Sequence, residues 1–228
     1  MKTTIAIACY NECSTISEVI SQAKSLNIDK EIIIVDNCST DGTREILESI
    51  DDDSIRVIFQ PRNYGVGRSA QILIKLADSD YFHGPGADLE YEMTDVFQMR
   101  EKLEINTLDA VFGSRLIGSK KSILQLLRER PFWLGTIVAT FLINLIYNKR
   151  FTDVIGTKLI RTDVIKSLGC KADNQAFEFE LVSRLCKNGY KIEEIPVYYK
   201  PRTAEEGKTI KWWDMIYAIK KILTVSLS

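Results

Sequence analysis

The sequence predicts a single α/β domain built on a mostly parallel sheet flanked by helices, and three observations carry that reading. β-branched runs at residues 3–8, 31–35 and 55–59 are too short for helices, and each empties into a polar turn. A helical stripe follows each turn, and strand-helix units in series demand parallel crossovers. The 228 residues, 45% apolar, suffice for one sizeable core without division into domains.

The first strand ends at Tyr10-Asn11-Glu12. A helix follows, with a Thr15-Ile16-Ser17-Glu18 capping box and an apolar face of Ile16, Val19, Ile20, Ala23 and Leu26. The second strand delivers Asp36 to its carboxyl end, the edge where open α/β sheets bind ligands. Asp36 is therefore a site candidate with no evident structural duty if Thr40 or Asp41 caps the helix through Ile46, Leu47 and Ile50; the alternative is that Asp36 and Asp41 only cap and turn. The third strand runs into Pro61-Arg62-Asn63-Tyr64-Gly65-Val66-Gly67-Arg68-Ser69-Ala70. Gly65, Gly67 and Ala70 fit a dinucleotide fingerprint, but that fingerprint belongs in a tight turn after the first strand. The plainer reading is that these glycines let a helix N-terminus approach another loop or a phosphate.

A short strand near Tyr81 leads to Gly84-Pro85-Gly86-Ala87-Asp88-Leu89-Glu90-Tyr91. Two carboxylates at i and i+2, Asp88 and Glu90, can converge on one Mg2+ or Mn2+, or can form a solvated acidic turn. His83 is the only histidine and reads as a packing residue. A helix over 94–103 and a strand over 110–112 end in Gly113-Ser114-Arg115. Beyond a basic, amphipathic stretch at 120–130, residues 131–147 are almost unbroken apolar sequence interrupted by Thr136, Thr140 and Asn144. That run falls short of the ~20 apolar residues of a membrane span and reads as a buried or interfacial helix. A strand at 157–161, a helix near Asp163, a helix at 177–188 and a last strand at 191–199 follow. The C-terminal helix mixes Trp213, Tyr217 and lysines as a membrane interface would, with core packing as the alternative.

Thirty basic against thirty-one acidic residues leave no field for nucleic acid. Five cysteines without CxxC spacing argue against a disulfide framework or a zinc site. No signal-peptide pattern precedes the first strand, so a cytoplasmic location is expected.

These motifs together resemble the family 2 glycosyltransferases of the GT-A fold, in particular the polyprenyl- or dolichyl-phosphate mannose and glucose synthases, over nearly the full chain. Ala8-Cys9-Tyr10-Asn11-Glu12 is similar to P-A-Y-N-E. Val35-Asp36-Asn37-Cys38-Ser39-Thr40-Asp41-Gly42-Thr43 is similar to V-D-D-G-S-T-D-G-T, and Asn63-Tyr64-Gly65-Val66-Gly67 to N-x-G-x-G. Ala87-Asp88-Leu89-Glu90-Tyr91 is similar to the tail of D-A-D-L-E-Y. Gly113-Ser114-Arg115, Thr152-Asp153, Phe177-Glu178-Phe179-Glu180, and Arg202 through Glu206-Gly207-Lys208 follow in the family's order.

The resemblance implies a nucleotide-sugar-binding half at 1–115 and an acceptor-binding half at 116–228 with membrane-proximal helices. It assigns Ala8, Tyr10, Glu12, Asp36 and Ala87 to the nucleotide sugar, with Tyr10, Glu12 and Asp36 at the base and ribose. Asp88 and Glu90 become ligands of Mg2+ or Mn2+, and Arg115, Arg202 and Lys208 cationic partners of donor and acceptor phosphates; Asp88, Arg115 and Arg202 are the catalytic candidates. The implied reaction is inverting transfer of a hexose from a nucleotide diphosphate sugar to a polyprenyl phosphate at the cytosolic membrane face. A saccharide hydroxyl acceptor, as in cell-surface polysaccharide synthesis, would instead need a carboxylate base such as Asp153 or Glu178. Gly86 stands where the family's D-x-D has its first aspartate, Asn37 replaces the second aspartate of V-D-D, and Ala8 replaces a proline. The first departure admits a third expectation, a nucleotide-sugar binder without turnover. It also suggests that Gly86→Asp would tighten metal binding, provided the loop does not need a positive φ.

Overall fold

The β-branched runs form the strands expected of them in the computed structural model, which describes residues 1–117, 119, 123–129, 133–202 and 212–227. β1 (Thr3–Cys9), α1 (Ile16–Ser25), β2 (Lys30–Asp36), α2 (Thr43–Glu48), β3 (Ile55–Phe59), α3 (Val66–Leu76) and β4 (Tyr81–His83) come first. α4 (Asp95–Ile105), β5 (Ala110–Ser114), α5 (Ile123–Glu129), α6 (Trp133–Tyr147) and β6 (Lys158–Arg161) follow. The chain continues through α7 (Thr162–Ser167), α8 (Ala176–Lys187), β7 (Ile192–Pro196) and α9 (Trp212–Leu227).

The strands make one sheet in the order β3-β2-β1-β4-β6-β5-β7. All neighbours are parallel except β6, which runs antiparallel to both β4 and β5. The chain steps outward from β1 to β2 and β3, then returns to β1's other side with β4. The crevice beside β1's carboxyl end is therefore the topological switch point where such sheets bind ligands. Register delivers Cys9, Asp36 and Phe59 to that edge side by side. Side-chain alternation splits the core between the sheet's faces: Ile33 and Val35 pack beneath α3, α6 and α8, whereas Ile32 and Ile34 pack with α1 and α4.

Gly65 and Gly67 do approach another loop. A Cβ on Gly67 would lie 2.2 Å from the Ala172 carbonyl oxygen, and one on Gly65 2.3 Å from that of Asp173. The Arg68 amide donates to the Asp173 carbonyl at 3.1 Å, and Gln71 Nε2 donates to that of Ala172 at 3.0 Å. The glycines thus seat the start of α3 against residues 172–174, just ahead of α8.

His83 is buried in the sheet with Nδ1 3.0 Å from the Lys158 carbonyl oxygen. That oxygen only accepts, so Nδ1 carries the proton. Burial lowers the imidazole's pKa from 6.5 to about 4. The unfolded chain takes up a proton near pH 6.5 and the folded one does not, so this contribution to stability is whole above pH 6.5 and is lost as pH falls towards 4. Its size is roughly 3 kcal/mol. Urea unfolding at pH 7.5 and pH 5 should show a larger loss for the wild type than for His83→Gln.

α6 is turned inside out. Its buried side carries Thr136, Ala139, Thr140 and Ile143, while Leu134, Phe141 and Leu145 face solvent, the last two 63% and 67% exposed. Two of the inward polar groups are partnered: Thr140 Oγ1 accepts from the Val154 amide, and Asn144 exchanges two 2.8 Å hydrogen bonds with the Phe151 backbone. They fix the turn at 151–154. In α9, Ala218, Ile222 and Val225 are buried while Ile216, Tyr217, Leu223 and Leu227 are exposed. No helix among the described residues is long and apolar enough to cross a membrane. The side chains of Trp212 and Trp213 lie outside the described residues, as does Lys208.

Candidate active site

The loops after β1 and β2 are laced together by side chains that accept from backbone amides. Ser39 Oγ accepts from Asn11, Thr43 Oγ1 from Glu12, Asp41 Oδ2 from Cys13 and Asn11 Oδ1 from Thr40, all at 2.8–3.0 Å. Asp41 also accepts from the Thr43 amide and hydroxyl at the start of α2, whose N-cap position is Gly42; neither Thr40 nor Asp41 caps the helix. Thr15 does not form the expected capping box; its hydroxyl donates instead to the Ala87 carbonyl at 2.8 Å, tying this wall to the loop after β4.

Asp36 has a structural duty after all. It is fully buried, with Oδ1 accepting from the Ser39 amide and Oδ2 paired with Arg44 Nε, each at 3.0 Å. Arg44 also donates to the Gln60 carbonyl and lies over the Phe59 ring. Asp36 ties the β2 loop to the end of β3 through these partners, and its removal would strand a cation. Beside it, Asn37 explains its own departure from the family aspartate. Its amide nitrogen donates to Asn63 Oδ1, and its oxygen accepts from Gln60 Nε2 and the Tyr64 amide. A carboxylate could not make the first bond.

At β1's end Tyr10 is 45% exposed. Ala8 is partly buried against the core, and Ala87 is buried. Glu12 is held in a two-pronged ion pair with Arg202, both contacts 2.8 Å. Arg202 Nη2 lies 3.5 Å from Asp88 Oδ2. Glu90 accepts from Tyr199 Oη at 3.0 Å and from the Arg202 amide at 2.8 Å, so both its oxygens serve the 199–202 segment.

These contacts decide what could hold a divalent cation. Burial, then the nearby Glu90 charge, pushes the Asp88 carboxyl pKa up, a negative charge short of compensation that a cation would supply. Mg2+ needs only one or two carboxylates beside substrate phosphates and water, so Asp88 fits as the protein ligand. Glu90, predicted as the second ligand, is committed to Tyr199 and Arg202. Among the described residues no group of three metal-ligating side chains forms a cage. Gly86 cannot be restored to aspartate without strain: its φ is +86°, and a Cβ there would meet Asp88 Oδ1 at 3.0 Å. Gly86→Asp is therefore expected to lower stability by about 1–3 kcal/mol without tightening Mn2+ binding, measurable by denaturant unfolding and calorimetry.

Arg115 is locked. Its Nε and Nη2 grip Asp153 at 2.6 and 2.9 Å, and its Cζ lies 4.6 Å from the Trp133 ring centroid and 5.0 Å from that of Tyr199. Asp153 is fully buried, and despite that burial the Arg115 charge and hydrogen bonds hold its carboxyl below the ordinary range. Its backbone amide donates to Glu194, which also fixes Thr152. Asp153 is thus excluded as a base, and Arg115 keeps only Nη1 without a partner among the described residues. Glu178, the other predicted base, is 43% exposed and held at 2.8 Å by the buried Lys158 amine at the sheet's ligand edge.

The structure brings Glu12, Asp88, Glu90 and Arg202 together, leaves Tyr10 exposed at β1's end, places Asp36 beneath the neighbouring loop and gives Arg115 a structural anchor. Sequence reasoning missed Arg44, whose signal was its place one residue after the β2 loop's Thr43. It also missed the Tyr91-Tyr199 contact, ring centroids 5.2 Å apart, for which residues so distant in the chain give no local signal.

A model of the family described as glycosyl transferase family 2 matches residues 4–169. The glycosyltransferase AglJ of Haloferax volcanii is 26% identical over 199 residues, covering 85% of this chain and 61% of that protein. The poly-β-1,6-N-acetyl-D-glucosamine synthase of Staphylococcus aureus is 35% identical over 125 residues, 53% of this chain and 30% of that one. The chain thus spans less than two thirds of either relative. Glucosyl-3-phosphoglycerate synthase from Mycobacterium tuberculosis, crystallised with Mn2+, uridine diphosphate and phosphoglyceric acid, superposes with a TM-score of 0.75 at 16% identity. That match covers 99% of this chain and 78% of that one, and at such identity it is a likeness of fold.

Proposed function

The chain belongs to glycosyl transferase family 2, and from that premise we propose that it is an inverting, nucleotide-sugar-dependent hexosyltransferase whose acceptor is a polyprenyl phosphate at a membrane face. The nucleotide sugar lies against residues 1–115 of the GT-A sheet, with Tyr10 at the base. The acceptor approaches from residues 116–228. One observation carries the choice of acceptor: the outward apolar stripe of α6 begins beside Trp133, whose ring covers Arg115. A greasy surface that starts at a cation suits a lipid whose head is a phosphate.

A phosphate acceptor arrives already ionised. Its oxygen attacks the anomeric carbon, the bond to the diphosphate breaks, and the bonding pair leaves on the diphosphate, so positioning matters more than a base. Mg2+ or Mn2+ held by Asp88 would neutralise charge on the leaving diphosphate. Arg115 Nη1 and Arg202 supply donors for phosphate oxygens.

A second reading, transfer to a saccharide hydroxyl, is favoured by Glu178, an accessible carboxylate at the ligand edge whose geometry a buried lysine fixes. A panel of nucleotide sugars with Mg2+ or Mn2+, offered polyprenyl phosphate or oligosaccharides and analysed by mass spectrometry, separates the two. Glycolipid with sedimentation on liposomes supports the lipid acceptor. Product on oligosaccharides alone, without liposome binding, replaces it. Nucleotide binding without any product marks a non-catalytic binder.

A further inference from the structure

Three carboxylates, those of Glu12, Asp88 and Glu90, gather where β1 and β4 end, and among them stands a guanidinium. Arg202 grips Glu12 through both terminal nitrogens, touches Asp88 with one of them, and anchors its own backbone amide on Glu90. The backbone around it is held independently of that charge. The Lys200 amide donates to the Glu90 carbonyl, and Tyr91 and Tyr199 form an antiparallel bridge with their rings in tilted contact. The side chain can therefore swing while the segment stays.

We propose that Arg202 is the resident counter-cation of this site, and that a divalent cation entering with a nucleoside diphosphate takes Asp88 from it in a coupled exchange. The physical reason is mutual exclusion. A doubly charged ion on Asp88 would sit against a guanidinium that touches the same carboxylate, and like charges at contact distance repel strongly where solvent is partly excluded. The diphosphate reverses the balance, because its oxygens offer the displaced guanidinium a two-pronged partner equivalent to the Glu12 carboxylate it leaves. Without nucleotide the site therefore prefers its arginine to the metal. This inference deepens the transferase reading and rests on it for the identity of the anion.

Mn2+ titration of the full chain, followed by calorimetry and electron paramagnetic resonance, tests the exchange. Without nucleotide, Arg202→Ala and Arg202→Gln should bind Mn2+ about tenfold more tightly than the wild type. With uridine or guanosine diphosphate, the wild type should gain Mn2+ affinity by a larger factor than either variant, since coupling between the ligands passes through the arginine. Arg202→Gln guards against misfolding, because its amide can still donate to Glu12. Variants that melt cooperatively yet bind Mn2+ no better than the wild type overturn the proposal. In the wild type, the Arg202 side-chain N–H signals, assigned by their absence in Arg202→Gln, should move to new positions on saturation with Mg2+ and nucleoside diphosphate as the guanidinium trades Glu12 for the diphosphate; unchanged positions also overturn it. If no nucleotide binds to any form, the transferase reading fails, while the nucleotide-free comparison still decides whether arginine and metal compete.

Discussion

Asp88→Asn is expected to lower kcat/KM by two to three orders of magnitude, about the loss seen when one electrostatic stabiliser of a transition state is removed. The fold should not notice. Among the described residues Asp88 makes only a 3.3 Å contact with the Glu90 amide and a 3.5 Å contact with Arg202, and its charge already lies too close to Glu90. Melting temperature should therefore hold or rise slightly while Mn2+ affinity collapses. The measurement pairs steady-state rates, using the donor found active in the sugar panel, with calorimetry. Undiminished turnover in Asp88→Asn removes the metal from the proposed chemistry.

Asp153→Asn should be the most damaging single change to stability, by about 3–5 kcal/mol. The Arg115 side chain is 8% exposed, so deleting the opposing charge leaves a cation between two aromatic rings with no anion to balance it. Urea unfolding reads the loss directly. Arg115→Met together with Asp153→Asn should recover part of it, because an apolar side chain between Trp133 and Tyr199 carries no charge to desolvate. A double variant no more stable than Asp153→Asn alone would show that the arginine's value lies in shape rather than charge.

The regular half of the molecule was legible because its signals are local. Ile32 to Val35 could only be a strand buried on both faces, and Gly65 and Gly67 announced a close backbone approach although not what they approached. The residues that cluster at this edge could be named in advance, but not their pairing. Asp36, Asp88, Glu90, Arg115 and Arg202 could be picked out by type and motif, yet which carboxylate holds which cation depends on contacts spanning up to 190 residues, as between Glu12 and Arg202. Thr15 shows the same limit at short range. Its capping-box spacing was correct, but the Ala87 carbonyl from another loop competed for the hydroxyl and won. Gly86 read as a lost ligand, whereas its backbone angle shows that the loop itself requires glycine.

The reversed strand β6 sets an order of assembly during synthesis. β1, β2 and β3 meet as soon as they emerge, since each pairs with a neighbour close in sequence. β4 and β5 share no edge, and each must wait for residues 158–161 to slot between them. Until then the ribosome-bound chain exposes one edge of β4, Tyr81 to His83, and both edges of β5, Ala110 to Ser114, whose other neighbour β7 emerges later still, the kind of surface that recruits chaperones or a second nascent chain. Closing such distant pairings is slow, so insertion of β6 is expected to limit the folding rate. Substitutions in Leu159 and Ile160 should then slow refolding, while those in β3 should chiefly speed unfolding.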